Sequence, residues 1–151
     1  MEYGSIEREL YVDAPPQVVF DVLTDHRGYA GLTPLRKSVL EREGDPAPNG
    51  VGAIRVLSAV GPPMREEVIA YERPGRFSYT VLSGLPVRDH VGTFSLEADG
   101  DGRTKVTYAL HTTPTVPFAG SVVVLAIKRG ITQLLNGVSA EAERRAAAAN
   151  G

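Results

Sequence analysis

The chain has 151 residues, a length that suits one domain with room for a real core. Its formal net charge is −2, so it carries neither the basic footprint of a nucleic-acid binder nor a polybasic patch for membranes. It has no cysteine, which excludes disulfides, thiolate catalysis and cysteine-ligated metal centres.

In chain order, Ile6, Arg8, Leu10 and Val12 alternate with Glu7, Glu9 and Tyr11, which predicts a first strand. It stops at Pro15-Pro16. Asp13-Ala14 is placed to cap a helix, and prolines are tolerated where a helix lacks partners for its first N–H groups. Val18, Val19, Val22 and Leu23 then recur at helical spacing, and Thr24-Asp25 begins a second short helix. Leu35 to Glu43 reads as the second strand, followed by a turn-rich loop over 44–50. Ala53 to Val60 is the third strand, broken by Gly61-Pro62-Pro63. Arg65 to Glu72 is the fourth, ending in an Arg73-Pro74-Gly75-Arg76 turn with Pro74 and Gly75 at its centre. Phe77 to Leu82 is the fifth, and Gly84-Leu85-Pro86 is a loop. Arg88 to Glu97 and Thr104 to Thr113 flank Asp99-Gly100-Asp101-Gly102, a strong hairpin signal.

From Pro117 onward the pattern is helical. Val123, Ile127, Ile131, Leu134 and Val138 form one continuous stripe. Gly120, Gly130 and Gly137 would each cost about 1 kcal/mol relative to Ala in an exposed helix interior. Burial offsets that cost, or the glycines let a strand or a ligand come close. The alanine-rich end, Ala146 to Asn150, reads as a fraying terminus.

Hairpin-linked strands cannot be parallel, so the sheet is antiparallel. One face of it must be covered, and the C-terminal helix is the element long enough to do so. The fold class is therefore α+β: a curved antiparallel sheet of about seven strands around a long C-terminal helix, with two short helices after strand 1. A twisted sheet around a straight helix leaves a gap, and that gap is the expected ligand cavity.

This order of elements resembles the START-like, helix-grip superfamily, also called SRPBCC, and within it the polyketide cyclase/dehydrase and lipid-transport group. The resemblance rests on Val12-Asp-Ala-Pro-Pro-Gln-Val-Val-Phe-Asp-Val-Leu-Thr-Asp25 with Tyr29, and on Glu67-Val-Ile-Ala-Tyr-Glu-Arg-Pro-Gly-Arg-Phe77. Phe94-Ser-Leu96 and Thr104-Lys-Val-Thr-Tyr108 also match, so it covers essentially the whole chain as a single START-like domain over 1–151. It implies a fold with members that bind ligands and members that are aromatase/cyclases. Fold alone assigns no chemistry.

If Phe94 and Leu96 face inward, His90 and Gly92 share that face. Val106, Tyr108 and Leu110 are the apolar parity of the last strand, with His111 outward, and Phe77, Tyr79 and Val81 are the inner set of the fifth. The fourth strand has two readings. A two-residue Pro74-Gly75 turn pairs Ala70 with Tyr79 and puts Val68 and Glu66 inside, whereas a three-residue loop puts Ile69 and Glu67 inside. The expected ligand-binding residues are His90, Tyr79, Tyr108, Phe94 and Phe77 from the sheet, with Val123, Ile127 and Ile131 from the helix. His90 near a tyrosine hydroxyl is suited to hydrogen-bonding a polyketide or sterol-like oxygen, or to moving a proton in a cyclisation. A satisfied interior histidine, and tyrosines that pack in the core with polar tips, are the structural alternatives. Arg55, Arg65 and Arg88 are candidates for the mouth or wall, although Arg55 and Arg65 read better as a solvated strand face.

Other motifs fail. Gly50-Val51-Gly52 lacks the third glycine and the strand-to-helix setting of a dinucleotide site. Asp99 to Gly102 has Leu110 where a calcium loop needs its bidentate Glu. His26, His90 and His111 lack metal-ligand spacing, and no Gly-x-Ser-x-Gly elbow occurs. No catalytic residue, metal or cofactor is therefore assigned. The first residues show no apolar signal segment, and the longest apolar run, Ser121 to Ile127, is far short of the roughly 18 residues of a spanning helix. The expectation is a cytoplasmic protein without membrane insertion. Arginine far exceeds lysine, in keeping with a GC-rich, bacterial source. Nothing in the sequence sets an oligomeric state.

The leading expectation is a protein that holds a small hydrophobic or amphipathic molecule between sheet and helix. A polyketide aromatase/cyclase-like enzyme is the second, and requires His90, Tyr79 and an Arg or Glu to converge. A protein-interaction regulator is the third, and requires a filled core beneath an exposed apolar patch near Val122 to Leu125.

Overall fold

The computed structural model describes residues 5–33, 35–59 and 61–150. Val60, read from sequence as the end of the third strand, lies outside them, as do Met1 to Gly4, Pro34 and Gly151. Seven strands form one antiparallel sheet: β1 (Ser5–Val12), β2 (Lys37–Arg42), β3 (Ile54–Ser58), β4 (Met64–Glu72), β5 (Arg76–Ser83), β6 (Val87–Ala98) and β7 (Thr104–Pro114). Their order is β1-β7-β6-β5-β4-β3-β2, a meander closed at one edge by the first strand. Between β1 and β2 run α1 (Pro16–Thr24), a 3-10 turn at His26–Gly28 and α2 (Tyr29–Leu32). The chain ends in α3 (Gly120–Asn150), which is gripped by the curved sheet. The expected α+β helix-grip architecture is the one observed.

Alternation places the core as expected in β6 and β7. His90, Gly92, Phe94 and Leu96 point inward from β6, opposite Val106, Tyr108 and Leu110 of β7, and His111 is exposed. Asp99 to Gly102 turns the hairpin, with Gly100 and Gly102 at positive φ. Bulges in β2, β4 and β6 interrupt the ladder, the kind of irregularity that bends a sheet.

The β4–β5 connection corrects both sequence readings. The Gly75 N–H donates to the Glu72 carbonyl at 2.7 Å, so Arg73 and Pro74, not Pro74 and Gly75, are central. Glu72 then pairs with Arg76, and three residues form the loop. That register alone would turn Ile69 inward. A bulge between Val68 and Ala70 absorbs Ile69, which is 44% exposed, and pairs Val68 with Tyr79. Val68 and Glu66 are thereby buried after all.

At the start of α1, Pro15 is the cap and no side chain caps the helix. The Asp13 backbone instead donates to Glu143 Oε2 of α3 at 2.9 Å. Asp25 does cap, accepting from the Arg27 N–H of the 3-10 turn. The alanine-rich end of α3 does not fray: it stays helical to Asn150, with Ala142 and Ala146 buried.

The apolar face of α3 divides in two. Val124, Ile131, Leu135 and Val138 are buried against the rest of the fold, each worth about 1.5–3 kcal/mol if fully buried. Val123, Ile127 and Leu134 are only partly buried and are turned by about a quarter of the helix circumference from that contact. They face a pocket.

Candidate ligand site

A pocket of about 450 Å³ lies between α3 and the inner face of the sheet. From α3 it is lined by Val123, Ala126, Ile127, Gly130, Ile131 and Leu134, flanked by Val122 and Gln133. From the sheet come Arg55 and Leu57 of β3, Met64 and Glu66 of β4, Tyr79 of β5, and His90 and Phe94 of β6. Leu85 and Pro86 of the β5–β6 loop, with Tyr29, Thr33 and Leu35, complete it.

Six of the eight residues expected from sequence are brought together there: His90, Tyr79, Phe94, Val123, Ile127 and Ile131. The other two are not pocket residues. Tyr108 lies behind the lining, fully buried, and its hydroxyl is 2.7 Å from that of Tyr79. Phe77 is buried among Phe20, Tyr71 and Phe94, with ring centroids 6.2–6.4 Å away, because inner-face parity places it one step deeper than Tyr79. Gly92 makes the position of Tyr79 possible. A Cβ on Gly92 would lie 2.5 Å from the Tyr79 ring.

Arg55 overturns the expectation of a solvated face. It is 2% exposed and sits directly across the β3–β4 ladder from Glu66. Its Nη2 donates to Glu66 Oε1 at 2.5 Å and its Nη1 to the Tyr29 hydroxyl at 3.4 Å, while Nε has no hydrogen-bond partner among the described residues. Its guanidinium also lies 5.2–5.9 Å from the ring centroids of Phe77, Tyr29 and Tyr79. The Tyr29 hydroxyl in turn donates to the Leu23 carbonyl. The proline-initiated α1 thus ends by fixing a tyrosine that fixes the arginine. Arg65 instead pairs with Glu41 on the surface, and Arg88 is exposed; neither lines the pocket.

Burial opposes the charge on Arg55, but Tyr29 and Glu66 outweigh it and hold the guanidinium cationic. Burial pushes the Glu66 carboxyl up, and Arg55 pulls it back in part. Burial holds His90 down to about 4, so its imidazole is neutral at neutral pH. Its Nδ1 is 2.9 Å from Thr112 Oγ1, leaving Nε2 without a partner among the described residues. Burial, reinforced by Tyr108, raises Tyr79 well above the ordinary phenol value, so both hydroxyls stay protonated. The site is an apolar chamber with a neutral imidazole and a fixed ion pair in its wall. Proton transfer and hydrogen bonding to a ligand oxygen are within its repertoire.

Sequence reasoning did not place Tyr29 at the site, and it put Glu66 inside in only one of its two readings of the fourth strand. One signal was present: Arg55 shares the parity of Ala53 and Leu57, so a cation already stood on the apolar face of its strand.

A family profile described as polyketide cyclase/dehydrase and lipid transport matches residues 4–143. The chain belongs to this family. Among solved structures, it is similar to the ZhuI aromatase/cyclase from Streptomyces sp. R1128, with 24% identity over 97% of this chain and 98% of that one and a TM-score of 0.77. A START superfamily protein from Mycobacterium smegmatis matches at 12% identity over 91% and 98% of the two chains, with a TM-score of 0.75. A norcoclaurine synthase point mutant from Thalictrum flavum matches at 18% identity over 93% and 94%, with a TM-score of 0.74. These likenesses establish the fold that family members share. Among curated proteins, none matches. Among the described residues no helix is long and apolar enough to cross a membrane.

Proposed function

We propose that this family member binds a small hydrophobic or amphipathic molecule between the sheet and α3. The observation that carries the reading is the pocket itself: about 450 Å³, within the roughly 300–1,000 Å³ typical of small-molecule sites. Its walls are apolar but for a few orienting groups. The ligand's apolar body lies against Val123, Ile127 and Leu134, and a polar end reaches His90 Nε2 or the Tyr29–Arg55 cluster. A filled core, which an interaction regulator needs, is at odds with this pocket. The test is a thermal-shift and native mass spectrometry panel of lipids and aromatic polyketides. A stoichiometric adduct with a raised Tm is expected; no adduct and no shift across both classes would overturn the reading.

A second reading, a polyketide aromatase/cyclase-like enzyme, gains from one observation. His90, Tyr79, Arg55 and Glu66 all line the same pocket. In that reading neutral His90 takes a proton from an activated carbon while the Tyr29–Arg55 cluster stabilises the enolate oxygen. Turnover of a linear poly-β-ketone, lost in His90→Phe and Arg55→Met while ligand uptake persists, is the outcome it requires.

A further inference from the structure

Each of two glycines along the same side of α3 lacks a side chain for a different reason. A Cβ on Gly137 would lie 2.3 Å from the Leu32 carbonyl oxygen, so close packing of α2 on α3 excludes one. A Cβ on Gly130 would meet nothing within 4 Å among the described residues. Its φ is not positive either, so neither packing nor backbone conformation requires glycine. Yet an interior helical glycine is disfavoured relative to alanine. Gly130 lines the pocket, and so do its neighbours on the helix surface, Ala126, Ile127, Gln133 and Leu134. It stands at the centre of the face that α3 turns to the pocket.

We infer that Gly130 is a specificity-determining residue: it leaves a bare patch of helix backbone on which the ligand's apolar body lies. The ligand class is an apolar molecule too broad for the site once a side chain stands there. The inference rests on the binding reading above and deepens it.

The experiment uses 8-anilinonaphthalene-1-sulfonate as a fluorescent probe, with thermal melting in parallel. Gly130→Ala raises Tm by about 2–4 °C, as an unpacked helical glycine should, and weakens probe binding about three- to tenfold. Gly130→Leu weakens it about tenfold or more. Thr132→Ala, on the opposite face of α3, leaves probe affinity at the wild-type value. If both Gly130 variants bind as wild type while Ile127→Trp abolishes binding, the role of Gly130 is overturned and the pocket reading stands. If Gly130→Leu and Ile127→Trp both leave binding unchanged, the probe does not occupy the pocket, and both fail. A lowered Tm in Gly130→Ala overturns the inference by revealing a packing role.

Discussion

Arg55 is a guanidinium enclosed by three aromatic rings, one phenol hydroxyl and one carboxylate. Removing one member of a buried pair strands the other, at a cost of about 3–5 kcal/mol, whereas replacing both with apolar residues is often neutral. Arg55→Met is therefore expected to lose about 3–5 kcal/mol in urea unfolding, and Arg55→Met/Glu66→Leu to recover most of it. A single variant within about 1 kcal/mol of wild type would show that the pair is not desolvated. His90 supplies a pH signature. Its folded-state pKa, about 4, is below the ordinary 6.5, so the unfolded chain binds the extra proton between those values. Stability from this residue is complete above pH 6.5 and is lost as pH falls toward 4, about 2 kcal/mol of it by pH 5. Buried His26, also depressed by burial, acts in the same direction, and Glu66, raised by burial, in the opposite one. Both are shared with His90→Asn, so the wild-type-minus-variant difference between pH 7 and pH 5 isolates His90. Equal pH slopes for the two proteins would contradict its burial as a neutral imidazole.

At the scale of elements, α3 is set by where its neighbours touch it. Gly137→Ala improves helix propensity but drives a methyl into the Leu32 carbonyl, so it should lower Tm, the opposite sign to Gly130→Ala. A rise in Tm for Gly137→Ala would mean that α2 yields without cost. The order of strands and helices was legible because alternation, turn residues and the Pro15-Pro16 break are local signals. The inner face of β4 was not, because it depends on a bulge that swallows Ile69. Nothing in Glu67-Val68-Ile69-Ala70 announces that bulge. The α3 stripe was visible in outline. Its division into a packed side and a pocket side is a tertiary result, since both sides carry Val, Ile and Leu.

At the scale of the whole molecule, the pocket follows from a straight helix set against a sheet bent by its bulges. The apolar lining could be anticipated because β6 and α3 have clear periodicity. The ion pair in the pocket wall was legible only in the parity of Arg55 with Ala53 and Leu57, because Tyr29 reaches Arg55 only through the placement of α1 and α2. Ligand and fold are then linked: a ligand at 100 times its Kd stabilises the native state by about 2.7 kcal/mol. Whether a ligand sits between α3 and the sheet is read directly by a filtered NOE experiment on methyl-labelled protein with 8-anilinonaphthalene-1-sulfonate. NOEs from the probe's ring protons to the methyl groups of Val123, Ile127, Ile131 and Leu134 are the expected result. NOEs confined to the exposed Leu125, which is not a pocket residue, or none to the pocket-facing methyls, would contradict it.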